Sequence, residues 1–235
     1  MIGVLFVGCA SAKLDTALQR TKDASYKAVT DPLTWGSALG AGVLYATYDD
    51  DITEYFMENN LIDSEADEPL RQINGIVLYT TAVFVEDDTN KEMMQRLAVD
   101  VAGSFTARST TNILNRNIQK DTPLGDNSYS AIGSHHALDP FANSALTRGN
   151  VADMSIPMWG KYTINSISYI SSAGSALTRV QEGGHSFGDQ LVSVSVGNFI
   201  GLFFYEVFLG FDNDLDSIQV NTNKDSFYML ANWNF

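Results

Sequence analysis

Over most of the chain, apolar residues recur every three or four positions, a period that belongs to helices rather than strands. Asp31-Pro32 supplies an N-cap and a first-turn proline. The Ala-, Gly- and Leu-rich stretch 33–48 that follows predicts a tightly packed helix. Asp49-Asp50-Asp51 opens a second helix over 52–59, and further helices are predicted over 69–85 and 90–118. In the last of these Met94, Leu97, Val101, Phe105, Ile113 and Leu114 keep mostly that spacing. Asp, Pro, Gly, Asn and Ser dominate 120–133, which predicts a loop. Three more helices are expected over 136–146 (broken near Gly149-Asn150), 157–180 and 187–209, the last two separated by a turn at Glu182-Gly183-Gly184. Residues 9–29 are polar and weakly periodic and predict a lead-in or linker. In the tail the period changes. Residues 217–222 and 226–235 alternate and carry aromatics around Asn223-Lys224-Asp225, which predicts a β-hairpin packed on the helices. The expected fold is all-α, a bundle of six or seven helices with a small C-terminal hairpin. Its expected divisions are a start and linker over 1–30, a helical domain over 31–211 and the hairpin over 212–235.

Composition narrows what such a bundle can do. At 235 residues, 45% hydrophobic and 18% charged, the chain can bury one substantial core. Its 14 basic residues face 28 acidic ones, a formal charge of −14. That balance argues against nucleic acid, whose phosphates need Lys and Arg to neutralise them. It also supplies no long-range pull on anionic substrates or lipids, so any phosphate site must be local. The acidic triplet 49–51 is read as a helix cap rather than a cation site, because carboxylates favour a helix N-terminus.

Two segments bear on location. The single cysteine, Cys9, excludes an intramolecular disulfide. It follows Met1-Ile2-Gly3-Val4-Leu5-Phe6-Val7-Gly8, which is similar to the end of a bacterial lipoprotein signal, although no basic residue precedes it and the apolar run is short. That likeness implies lipidation at Cys9 and a periplasmic or outer-membrane-anchored protein touching a membrane through its acyl chains. The competing reading is a short buried segment with an inert thiol. The stretch 191–211 has the length of a membrane span, about 20 residues. It contains Asn198 and Glu206, however, and a mid-membrane Glu is costly, so a buried core helix and a soluble domain are expected.

The three histidines, His135, His136 and His185, fall at predicted loop-to-helix junctions rather than within a core stripe. The second junction reads Thr178-Arg179-Val180-Gln181-Glu182-Gly183-Gly184-His185-Ser186-Phe187-Gly188-Asp189. A carboxylate at Asp189 suits orientation of an imidazole, which leaves its other nitrogen as a nucleophile. A helix start offers free amides to an anion, and Arg179 can fork onto phosphoryl oxygens.

The order Arg179, five residues, His185, three residues, Asp189 resembles the third signature of the type-2 phosphatidic acid phosphatase superfamily. Gly133-Ser134-His135-His136 is similar in part to the second signature, Pro-Ser-Gly-His, with Phe141 five residues further on. In the first signature, Lys, six residues, Arg-Pro, only Pro123 is matched. Asn115 stands in the Lys place and Thr122 in the Arg place, with Arg116 and Lys120 nearby as candidate compensating cations. The resemblance covers roughly 33–209.

It implies a phosphomonoesterase acting on a small phosphorylated molecule or lipid without a metal. His185 would be the nucleophile, oriented by Asp189, and His136 the acid and base. Arg179, Ser134 and the amides near His135, with Asn115 and Thr122 in the signature places, would hold the phosphate. The missing cations leave a catalytically impaired binding or scaffolding protein as the alternative. A vanadate-dependent haloperoxidase, the one case with a cofactor, ranks below both. Oligomeric state is not predicted.

Overall fold

The computed structural model describes residues 3–5, 11–86, 89–125, 129–131, 133–210, 215–222 and 227–233; side chains are described for 16–86, 89–118, 120–125 and 133–210. The fold is mostly helical. The described residues hold eight α-helices rather than six or seven: α1 (Ser11–Thr30), α2 (Pro32–Ala46), α3 (Asp49–Asn59), α4 (Asp67–Phe84), α5 (Asn90–Asn117), α6 (Leu138–Asp153), α7 (Met158–Gln181) and α8 (Phe187–Phe208). The additional helix is α1, expected as a linker. Its buried positions are the small residues Ala24 and Ala28, both at 0% exposure, which hydropathy hardly registers. The expected break near Gly149-Asn150 is absent as well. Gly149 lies under the Tyr205 ring, and the Asn150 side chain donates to Asp100, so α6 runs on to Asp153.

Helix α8 is the axis of the bundle, with α1, α2, α5 and α6 packed around it. Its all-round apolar surface reflects that burial. It is the one helix among the described residues long and apolar enough to cross a membrane, and most of it is covered by the others. Phe204 and Phe208 meet Leu78, Val99, Leu138 and Leu146 in the main core. Helix α6 crosses α8 at backbone distance. A methyl at Gly197 would lie 2.3 Å from the Leu138 carbonyl oxygen, and one at Gly201 would lie 2.3 Å from that of Ala142. The crossing therefore sets where α6 begins, and with it the turn that carries His135 and His136.

On the other side, α4, α6 and α7 are joined by a buried polar knot. Asn74 Nδ2 donates to Ser144 Oγ at 3.0 Å and Ser172 Oγ at 3.0 Å, and Ser144 and Ser168 hydroxyls stand 2.8 Å apart. These amide and hydroxyl bonds tie the three helices to one another, while Asn74 Oδ1 has no hydrogen-bond partner among the described residues.

The predicted loop over 120–133 contains two short antiparallel strands, β2 (Gln119–Asp121) and β3 (Tyr129–Ala131). A small sheet orders β1 (Gly3–Leu5), β5 (Phe227–Trp233) and β4 (Leu215–Thr222), with β4 antiparallel and β1 parallel to β5. The turn over 223–226, the side chains of the tail, and Cys9 lie outside the described residues.

Candidate active site

The candidate histidines and Arg179 stand on the 133–137 turn ahead of α6, the end of α7 and the start of α8, and the first turn of α4 meets the first of these. The α7 end is shaped by its glycines. Gly183 takes φ +66°, the left-handed conformation that lets a helix terminate, and its amide bonds the Val180 carbonyl at 2.9 Å. Gly184 then passes so close to Arg179 that a Cβ there would lie 2.8 Å from Nη2. The guanidinium is thereby pressed against the residue preceding His185. Arg179 Nη1 pairs with Glu182, while its buried Nε finds no acceptor among the described residues.

His185 is half-buried and stands one residue before Ser186, the N-cap of α8. Ser186 and Asp189 form a reciprocal capping box: Ser186 N–H donates to Asp189 Oδ2 at 3.0 Å and Asp189 N–H to Ser186 Oγ at 3.3 Å. Asp189 is fully buried, and its Oδ1 accepts the Tyr45 hydroxyl at 2.6 Å. Burial and the neighbouring Asp189 carboxylate raise the Tyr45 hydroxyl well above its ordinary pKa. Asp189 therefore has an architectural task, holding the helix entrance beside His185, that the signature alone does not reveal.

Lys120, on β2, reaches the same entrance. Its Nζ lies 3.1 Å from Ser186 Oγ, 3.4 Å from Asp49 Oδ2 and 3.5 Å from Asp189 Oδ1, and 4.8 Å from the centre of the Tyr45 ring. Asp49 in turn accepts the Gly188 amide at 2.7 Å. The first of the three acidic residues thus caps α8 from a distance. Among the described residues, no group of three or more His, Cys, Asp or Glu side chains is set to hold a metal ion.

In the 133–137 turn, Ser134 is fully buried. Its amide donates to Ser193 Oγ at 2.9 Å, and its hydroxyl accepts the His136 amide at 3.3 Å. Its hydroxyl and the His136 amide thus serve the turn itself. Asn115, oriented so that both ends of its amide are satisfied, donates to the Gly133 and Thr111 carbonyls at 2.6 and 3.1 Å. It fastens α5 to the turn. Thr122 is half-buried and its carbonyl accepts the Gly125 amide, whereas Arg116 is exposed on the last turn of α5. His135 is partly exposed, with Nδ1 3.7 Å from Asp139 Oδ2.

His136 carries the contact that sequence reasoning missed. Its Nδ1 lies 2.8 Å from Asp67 Oδ2, close in distance though off the line of an ideal N–H···O bond. Asp67, in the first turn of α4, also accepts the buried Ser175 hydroxyl at 2.6 Å, and its Oδ2 lies 3.6 Å from Arg71 Nε. Burial lowers the His136 pKa; Asp67 opposes this, and the charges of Arg179 and Arg71 add to the lowering. Burial alone would raise Asp67, but Ser175, His136 and Arg71 outweigh it and hold the carboxyl below its usual range. Arg71 also pairs with Glu68, and its Nε, like that of Arg179, is buried without a hydrogen-bond acceptor. The helix expected over 69–85 begins two residues earlier, at Asp67, and nothing local in the sequence ties that carboxylate to His136.

Comparisons of the chain with family models, curated proteins and solved structures find no match.

Proposed function

We propose that this protein is a metal-independent phosphomonoesterase of the type-2 phosphatidic acid phosphatase kind, acting through a phosphohistidine. The observation that carries the reading is the position of Arg179. Its guanidinium abuts Gly184, next to His185, and its charge acts on His136. One cation thus links the two histidine turns. A local cation of this kind suits a phosphoryl group, because the chain as a whole attracts no anion.

In the first step a ring nitrogen of His185 attacks phosphorus and the ester P–O bond breaks. Protonated His136 gives its Nε2 proton to the leaving oxygen, so the alcohol departs neutral. In the second, water attacks the phosphohistidine and His136 takes the water's proton. The P–N bond then breaks, which releases inorganic phosphate and restores His185. Arg179 holds the equatorial oxygens throughout. Asp189 keeps the α8 entrance, and hence His185, in place.

The test is hydrolysis of p-nitrophenyl phosphate in EDTA. Turnover that disappears in His185→Ala supports the reading; turnover unaffected by that change, or none in the native protein, overturns it.

A second reading has its own support. Asn115 and Thr122 stand where the family carries cations, and Lys120 faces two carboxylates. A catalytically impaired relative that binds phosphate without turning it over fits those observations. Calorimetric phosphate binding without hydrolysis selects it. Two expectations belong to the same proposal: acylation at Cys9, which [³H]palmitate labelling and a Cys9→Ser variant test, and a C-terminal hairpin laid on the helices.

A further inference from the structure

We infer that Asp67 is the positioning residue of His136, holding the imidazole by Nδ1 so that Nε2 faces the reacting group. Its catalytic meaning rests on the phosphatase reading above; its geometry does not. The contact is one link of a fixed chain. Ser175, at 0% exposure on α7, donates to Asp67 Oδ1 at 2.6 Å, and Asp67 Oδ2 lies 2.8 Å from His136 Nδ1. The carboxylate is hydrogen-bonded at Oδ1 and lies in ion-pair contact with His136 and Arg71 at Oδ2, and its place in the first turn of α4 favours the charged form. A carboxylate beside Nδ1 selects the tautomer with its proton on Nδ1, leaving the Nε2 lone pair to act as base and, once protonated, as acid.

The charged groups around His136 define what the carboxylate does. Asp67 and Arg71 face it from α4 and Arg179 from α7, with Glu182 behind Arg179. His135 and Asp139 belong to its own segment. Lys120, Asp49 and Asp189 lie at the neighbouring start of α8, beyond His185. Burial and two guanidiniums work against imidazolium, and Asp67 is the acid in contact that works for it. Neutralising Asp67 removes the support for the protonated state and releases the tautomer together.

The experiment is ¹H–¹⁵N imidazole spectroscopy of the native protein and Asp67→Asn, with a pH titration of His136. It is paired with pH–rate profiles for p-nitrophenyl phosphate. In the native protein His136 is expected as the Nδ1–H tautomer. In Asp67→Asn it shifts towards Nε2–H, and its titration moves down by roughly one pH unit. The alkaline limb of kcat/KM moves down with it, because the acid form is lost at lower pH. kcat falls about 10–100-fold while KM stays within about threefold, since positioning rather than binding is removed.

An unchanged tautomer and titration in Asp67→Asn overturn the inference, whatever the activity. A native protein without turnover but with the tautomer shift leaves the inference standing and rejects the phosphatase reading. Should Asp67→Asn not fold, Ser175→Ala frees the same carboxylate from its anchor. A smaller shift in the same direction is expected, and no shift overturns the inference.

Discussion

Gly197 of α8 faces the carbonyl oxygen of Leu138, the first residue of α6, with room for hydrogen alone: a methyl would sit 2.3 Å from that oxygen. The constraint is backbone against backbone, so no side chain can rotate away to relieve it. It is also two residues from His136. Gly197→Ala is expected to push the start of α6 off α8 and cost about 1–3 kcal/mol of stability, the usual range for overpacking. The helix-propensity gain from Ala, about 1 kcal/mol, recovers only part of this. Denaturant unfolding measures the loss. If the α6 start positions the histidine turn, phosphate affinity falls as well. In Gly36→Ala, where a Cβ meets nothing within 4 Å, neither quantity falls.

Lys120 separates the two functional readings. Its ammonium stands among Asp49, Asp189 and Ser186 at the start of α8, where removing it would leave two buried carboxylates facing the Tyr45 hydroxyl without a counter-charge. The side chain is 38% exposed, so water screens part of that loss and the expected cost of Lys120→Met is roughly 1–2 kcal/mol. As a lock on the helix entrance, Lys120 contributes little to anion binding: phosphate affinity by calorimetry should drop less than about threefold, against more than about tenfold in Arg179→Gln, which loses a forked ligand. Equal losses in the two variants, with the stability of Lys120→Met unchanged, would make Lys120 a phosphate ligand in place of a missing family cation.

How far the sequence reveals this arrangement depends on the range of the interaction. The existence of the helices from 33 onward follows from periodicity and from caps such as Asp31-Pro32, which act within one turn, but the buried face does not always: in α5 Met94, Val101, Phe105 and Ile113 are exposed, and Val99, Ala102, Ala107 and Thr111 are buried instead. Helix α1 escapes because, among its described side chains, the buried ones are Ala24 and Ala28, and two methyl groups make almost no apolar stripe. Arg179, His185 and Asp189 are legible because their spacing spans one turn between two helices. The capping box of Ser186 and Asp189 lies within four consecutive residues, 186–189, and it gives Asp189 a task the motif does not. Asp67 is not legible as a partner of His136, and Asp49 is not legible as a cap for Gly188. Asp67 meets His136 only when α4 packs beside the turn that enters α6, and Asp49 meets Gly188 only when α3 packs on the start of α8; the acidic residues alone look like helix starts.

The last prediction concerns Asp100, which lies far from the histidines in sequence and at 0% exposure in α5. Its Oδ2 accepts the Asn150 amide at 2.9 Å, while Oδ1 has no hydrogen-bond partner among the described residues. Burial pushes its pKa up to about 7, against the pull of the Asn150 bond and of Arg96. A carboxyl raised in the folded state is protonated there at pH values where the unfolded chain, near 4, has already released its proton. Folding then takes up a proton, so the stabilising contribution is complete below pH 4, declines as pH rises from about 4 to about 7, and is gone above that. Asp100→Asn keeps an oxygen for Asn150 and carries no charge at any pH. Its Tm at pH 8 should exceed that of the native protein by roughly 5 °C, the shift expected from a gain of order 2 kcal/mol in a chain of this size. Near pH 4.5 the two should converge, or cross, because the new amide N–H₂ replaces an acid group that is already neutral. Thermal melts at pH 4.5, 6 and 8 decide it: a Tm difference that is constant across the three would mean Asp100 is ionised in the fold throughout.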